Sequence, residues 1–364
     1  MNGDLVPQYD MLGLPGPGWL FQALMALTLA LHWLFLGATV GGTAVILIEG
    51  AGARRRGGSP SPLVRGLAPF LPFFLSMAMT LGIAPLLFVQ VLYGHLFYIS
   101  NILLGWWWLG LLGLVMVNFY LFWWAWRRTR RAEPVGWILP AVVLALFVVC
   151  VAILSSNATL MQSPAAWPDF HAEGFHRLYL GAPTFGPRLL MALAGFLAAG
   201  GLVAAGLARS GLLYGRDGQA SPHARVGMNL AVPALVGSVA FGALVLVRMP
   251  ESHRSAAMTG PEAAFLYTAA AGLVASLGLA MVARRSASLA PVMAAGGVLF
   301  VALLALAAAR DTVRRAALAE IYDPAGVPVH SEWLNFAVFA VFLVAGIGVI
   351  AWVLKLARQR VPAD

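Results

Sequence analysis

The chain has 364 residues, 61% of them hydrophobic and only 10% charged, with a mean hydropathy of +0.84. Soluble domains carry about a quarter charged residues, so a soluble globular protein is excluded. A single cysteine, Cys150, rules out a disulfide framework, a zinc finger, an iron–sulfur ligand set and c-type haem attachment. The net charge of +9 sits in short bridges between apolar stretches, so it reads as membrane topology rather than as a nucleic-acid surface.

In chain order, Met1–Pro17 carries two acids and no Lys or Arg. That is the opposite of a secretory n-region and predicts translocation. Nine apolar spans follow, near 18–48, 64–94, 101–126, 134–161, 185–208, 225–249, 261–283, 289–310 and 332–355. Each exceeds the roughly 20 residues that a transmembrane helix requires. No segment repeats with a period of 20–50 residues, and no inverted repeat is legible. The expected fold is an all-α integral membrane bundle of about nine transmembrane helices, forming a single domain over 1–364.

With the N-terminus outside, the inner loops hold 16 basic residues against 7 outside, and the acids divide 4 inside to 10 outside. The positive-inside rule therefore predicts N-out and C-in, in a bacterial-type inner membrane. Trp106–Trp108 and Trp123, Trp124 and Trp126 mark the two interfaces of the third span.

Ionisable residues inside hydrocarbon are costly and point to function. Of seven histidines only His32 lies deep in a span, about 18 Å from the outer end of the first helix. A neutral imidazole there is a haem-iron ligand or a hydrogen-bonded tie to a neighbouring helix, and position alone does not separate the two. One buried histidine excludes a bis-histidine dihaem architecture, which needs four. Met79, at a similar depth, is a candidate sixth ligand against the ordinary reading of a core methionine.

His95, His171, His176, His253 and His330 fall in outer loops or at helix ends, as solvated residues, as a docking face for an extracytoplasmic cytochrome, or as an axial ligand given to its haem. Arg310 and Asp311 open the run RDTVRRAAL. Arg310 there can grip haem propionates or quinone oxygens, or pair with Asp311 and Glu320. Gln90, Asn157 and Gln162 either bridge helices or bond a quinone carbonyl or propionate. No Walker A loop, GxGxxG, HExxH or Ser/His/Asp set is present, so hydrolytic and nucleotide chemistry have no support.

At His32 the pattern becomes specific. The run His32-Trp33-Leu34-Phe35-Leu36-Gly37-Ala38-Thr39-Val40-Gly41 resembles the HxLFxxxTxG stretch of subunit I of cytochrome bd quinol oxidases. Gly82-Ile83 through Gln90 and Tyr93-Gly94 is similar to that family's second helix. Asn157 through Met161-Gln162-Ser163-Pro164 is similar to the end of its fourth.

The resemblance covers about 18–250. It implies a respiratory electron-transfer subunit with at most one haem b on His32, exchange with quinone and partner subunits; the outer histidines add an extracytoplasmic cytochrome c as a candidate partner. The departures are equally specific. Pro187, beside Arg188, stands where the family has a second haem histidine, and Ala271 falls near its methionine partner. Ile102–Phe122 holds no acid, the quinol loop shrinks to about Met249–Pro261, and RDTVRR replaces GRQPW. A complete oxygen reductase is therefore not expected. The alternative reading is a haem-free scaffold that anchors redox partners.

Overall fold

A computed structural model describes residues 13–55, 61–131, 133, 135–172, 174, 177–211 and 220–359. The helices are α1 (Gly18–Arg55), α2 (Pro62–Leu67), α3 (Phe70–Leu104), α4 (Trp106–Arg130), α5 (Ile138–Met161), α6 (Trp167–Ala172), α7 (Phe185–Arg209), α8 (Ala220–Arg248), α9 (Glu251–Met258), α10 (Ala263–Arg285), α11 (Ala290–Leu318) and α12 (Trp333–Gln359). Among the described residues eight of these, α1, α3, α4, α5, α7, α8, α10 and α11, are long and apolar enough to cross a membrane. In α12 the apolar stretch is Trp333–Val349. The protein is a multi-pass membrane helical bundle.

The long helices form two quartets. In the first, α1 packs on α3, with α4 and α5 beside them; in the second, α7 packs on α8, and α10 on α11. The burial pattern of α3 recurs along α8 at a constant separation of 160 positions: Leu71 and Ala231, Leu75 and Leu235, Ala78 and Ser238 are all buried. That of α5 recurs along α11 at 152 positions: Val143 and Ala295, Phe147 and Leu299, Cys150 and Ala302, Ile153 and Ala305. Four helices per unit return the chain to the same side, so the repeat is parallel rather than inverted. The side chains differ almost everywhere, which is why no period is legible in the sequence.

Small residues let the quartets meet. A Cβ added at Gly41 of α1 would lie 2.6 Å from Gly200 Cα of α7, so their backbones touch, as small-residue helix crossings in membranes do. At one end of the bundle Arg127, Arg128 and Arg130 close α4, each over a tryptophan four residues earlier at 4.6–5.7 Å. Arg284 and Arg285 close α10 at the same end. We call this the arginine end and the opposite one, where α1 begins, the mixed-charge end.

Two spans differ from the sequence-based expectation. The expected break near 94–101 is a kink: Tyr93 has φ −138° and ψ 29°, and the helix runs on to the turn at Gly105 (φ 52°). The carbonyl of Leu92, at this kink, accepts from Tyr322 Oη at 2.7 Å, and the piece beyond the kink is buried through Leu96, Phe97 and Leu104. The expected end of the eighth span at 310 is also overrun, since α11 continues to Leu318. Asp311 pairs along the helix with Arg314 at i+3 and Arg315 at i+4. Helix α12 stands apart, joined through the Leu14–Val329 bridge and the Phe21–Phe336 ring contact at 6.0 Å, with most of its side chains exposed.

Candidate functional site

His32 lies at the crossing of α1 and α3. Its Nδ1 is 2.7 Å from the carbonyl oxygen of Ala78. A carbonyl can only accept, so Nδ1 carries the proton and Nε2 keeps its lone pair. Nε2 has no hydrogen-bond partner among the described residues, and the ring is half-buried. Gly82, one turn past Ala78, makes the room: a Cβ there would sit 2.7 Å from His32 Nδ1 and 2.8 Å from Cε1.

A ring oriented through one nitrogen with the other free is the arrangement in which histidine ligates metals. It fits an iron held by one protein residue. Among the described residues no group of three or more His, Cys, Asp or Glu side chains gathers around it or elsewhere. Met79 is half-buried against the core shared by α1 and α3.

The other predicted site residues lie apart from His32. Gln90 accepts from Tyr98 Oη at 3.2 Å on an exposed face of α3. Asn157 donates from Nδ2 to Oδ1 of Asn101 and ties α5 to α3. Gln162 donates to the Ala158 carbonyl at 2.6 Å, at the end of α5. All three amides thus have protein partners, and that of Asn157 joins two helices. Arg310 makes no hydrogen bond or ion pair among the described residues.

The histidines also sort. His95 stands in the piece of α3 beyond the kink, edge-on to Tyr322 at 4.7 Å. His171 is on α6 and His253 on α9, where partial burial pulls the His253 imidazole below its ordinary value and keeps it neutral. The backbone N–H of His330 donates to the carbonyl of Leu14. His176 lies outside the described residues.

A network that the sequence did not reveal crosses the mixed-charge end. Tyr93 Oη donates to Asp311 Oδ1 at 3.1 Å, and Arg314 donates to the same oxygen at 2.8 Å while its guanidinium lies 5.1 Å over the Tyr93 ring. Tyr93, Asp311 and Arg314 are all at most 5% exposed. Arg315 joins Asp311 to Glu262, whose carboxyl is held below the usual range chiefly by its hydrogen bond from Arg315. The sequence signals were the charge run after Arg310 and the Tyr93-Gly94 pair in the resemblance of the second helix; neither pointed to their contact. Beside it a cleft of about 430 Å³, lined by Thr259, Glu262, Thr312, Arg315, Tyr322 and Asp323, opens under α9.

No protein-family model matches the chain. No curated protein matches it either. Among solved structures, a chain of the bd oxidase from Geobacillus thermodenitrificans superposes with a TM-score of 0.70 at 15% identity, over 97% of this chain and 100% of that one. The fold is similar to that of a bd oxidase chain. At this identity the likeness establishes the bd-like architecture from end to end and leaves the chemistry to the residues themselves.

Proposed function

We propose that the chain is the membrane subunit of a bd-like respiratory electron-transfer complex and holds one haem b through His32. The observation that carries this reading is the His32 tautomer: Nδ1 is committed to Ala78, and Nε2 is left with a free lone pair deep in an apolar bundle. Haem supplies one-electron transfer when bound, at a potential set by its axial ligand and burial. His32 orients it, Gly82 keeps the ring in register, and the large apolar side chains Trp33, Leu34 and Phe35 exclude water. Met79 is the candidate sixth ligand. Arg310, Gln90, Asn157 and Gln162 are the polar residues proposed to face propionate or quinone oxygens, and the cleft under α9 is the proposed quinone-facing surface.

In this reading the arginine end faces the cytoplasm of a bacterial-type inner membrane. The mixed-charge end, with His171 and His253, then faces an extracytoplasmic cytochrome c, and other subunits complete the complex. Electrons pass between quinone and that cytochrome, without a complete oxygen-reducing site.

The haem-free scaffold remains the second reading, because the bond to Ala78 makes His32 a complete tie between α1 and α3 without iron. A visible spectrum of the purified full chain separates them. The first reading requires a Soret band that shifts on reduction, with one haem per chain, and its loss in His32→Ala. No Soret band in the wild type, or undiminished haem in the variant, overturns it.

A further inference from the structure

Four arginines crowd the mixed-charge end where α5, α7 and α11 come together, and the acids near them are unevenly shared. Arg314 has Asp311, and Arg315 has both Asp311 and Glu262. Arg188 and Arg310 have no carboxylate among the described residues. Helix α11 packs against α7 in the opposite direction, with Gly206 facing Val292 at the arginine end, so Arg188 and Arg310, each 18 residues further along, lie at one level. Arg314 adds its positive charge there, with Asp311 alone opposing it. Arg188 donates to the hydroxyl of Thr159, while its Nε is buried with no acceptor. It also lies in the first turn of α7, whose dipole adds positive potential at the same place.

The repeat explains the imbalance. At the separation of 152 positions that relates α5 to α11, Thr159 stands where Asp311 stands. Arg188 thus meets a neutral hydroxyl at the position where Arg314 meets a carboxylate. Bare guanidinium at the edge of hydrocarbon costs several kcal/mol, and natural proteins pair it or ligate it.

We propose that Arg188 and Arg310 together bind one oxyanion, a carboxylate or phosphate carried by an amphiphilic molecule, at the seam between the quartets. Guanidinium forks match both groups in geometry, and two of them supply the two positive charges left unbalanced. Arg188 is three residues into α7 and Arg310 eight residues from the end of α11, which sets both near the boundary of the apolar core. Phospholipid phosphates lie at that depth, and the carboxylate of a bound prosthetic group reaches it from inside. The site deepens the role proposed above for Arg310, and its lipid-phosphate form does not require iron on His32.

The test is native mass spectrometry of the full chain in a non-ionic detergent supplied with phosphatidylglycerol. One retained phosphatidylglycerol per chain is expected, falling at least tenfold in the Arg188→Gln/Arg310→Gln double variant and unchanged in Arg284→Gln at the arginine end. If a haem carboxylate fills the site instead, wild-type lipid retention is low and the double variant loses haem at least tenfold. Phosphatidylglycerol then enters in His32→Ala. Should the double variant fail to fold, Arg310→Lys keeps the charge but not the fork, and is expected to weaken retention severalfold. Retention of both anions unchanged by these substitutions overturns the proposal.

Discussion

The same crossing occurs once in each quartet with different contents. In the first, His32 of α1 meets Gly82 of α3; in the second, Met191 of α7 meets Gly242 of α8, which is 160 positions from Gly82. The notch at Gly82 is filled by a ring pinned to Ala78, with a Cβ position only 2.7 Å from Nδ1. The one at Gly242 is loosely covered by the Met191 thioether, whose Sδ and Cε stand at 3.6 Å. A flexible thioether fills space, whereas an oriented imidazole offers a lone pair. Two halves with one backbone plan therefore differ in chemical capacity through one side chain and its carbonyl partner.

The sharpest way to break this comparison is at the seam. Asp311 on α11 ties the second quartet to Tyr93 on α3 of the first and compensates Arg314. Asp311→Ala leaves a buried guanidinium unpaired, an expected cost of about 3–5 kcal/mol. Thr159→Ala, at the equivalent position of α5, removes two hydrogen bonds, one accepted from Arg188 and one donated to the Ser155 carbonyl, together worth about 1–3 kcal/mol. Thermal unfolding in detergent measures both; equal losses would mean that the two positions are not distinguished by charge.

A smaller contrast separates the notches themselves. Gly82→Ala forces the His32 ring to shift and strains its bond to Ala78, for about 1–3 kcal/mol and, in the proposed haem reading, a displaced Soret band. Gly242→Ala makes an ordinary contact inside a helix, so it is expected to be neutral or to stabilise by up to about 1 kcal/mol. Loss in both would show that the second notch is as tightly filled as the first.

The smallest effect concerns pH. Glu262 caps α10 in the second quartet, while Gly105 holds the corresponding place before α4 in the first. Because Arg315 depresses the Glu262 carboxyl in the folded state, the pair stabilises above the ordinary carboxylate value of about 4.3. It is lost as pH falls through the lowered folded value. The side chain is 38% exposed, so solvent screening keeps the effect under about 1 kcal/mol. Glu262→Gln should lower Tm slightly at pH 7 and match the wild type in acid. A difference that persists in acid would mean the pair is not ionic in origin.

Legibility followed the range of the interactions. Spans, their arginine caps and the isolation of His32 were readable, because hydropathy and charge act residue by residue. The continuation of α11 past Arg310 was not, since Asp311 pairs with arginines three and four residues on, and Arg315 with Glu262 on another helix. The kink at Tyr93 depends on Tyr322, 230 positions away, meeting the Leu92 carbonyl. Arg188 entered the sequence analysis only as the neighbour of Pro187. Its importance arises from the absence of a carboxylate around it among the described residues, which no local pattern encodes.

The sequence by itself determined that this chain crosses a membrane repeatedly and that a single imidazole lies deep inside it. A long apolar run has no other low-energy environment, and His32 has no competitor at its depth. Tertiary structure decided the parallel quartets, the tautomer of His32, the partners of Gln90, Asn157 and Gln162, and the division of the arginines into paired and unpaired. Those outcomes depend on which backbone carbonyl, glycine or carboxylate a neighbouring helix presents. That is fixed only when the small residues along α1, α7 and α8 let the helices close to contact.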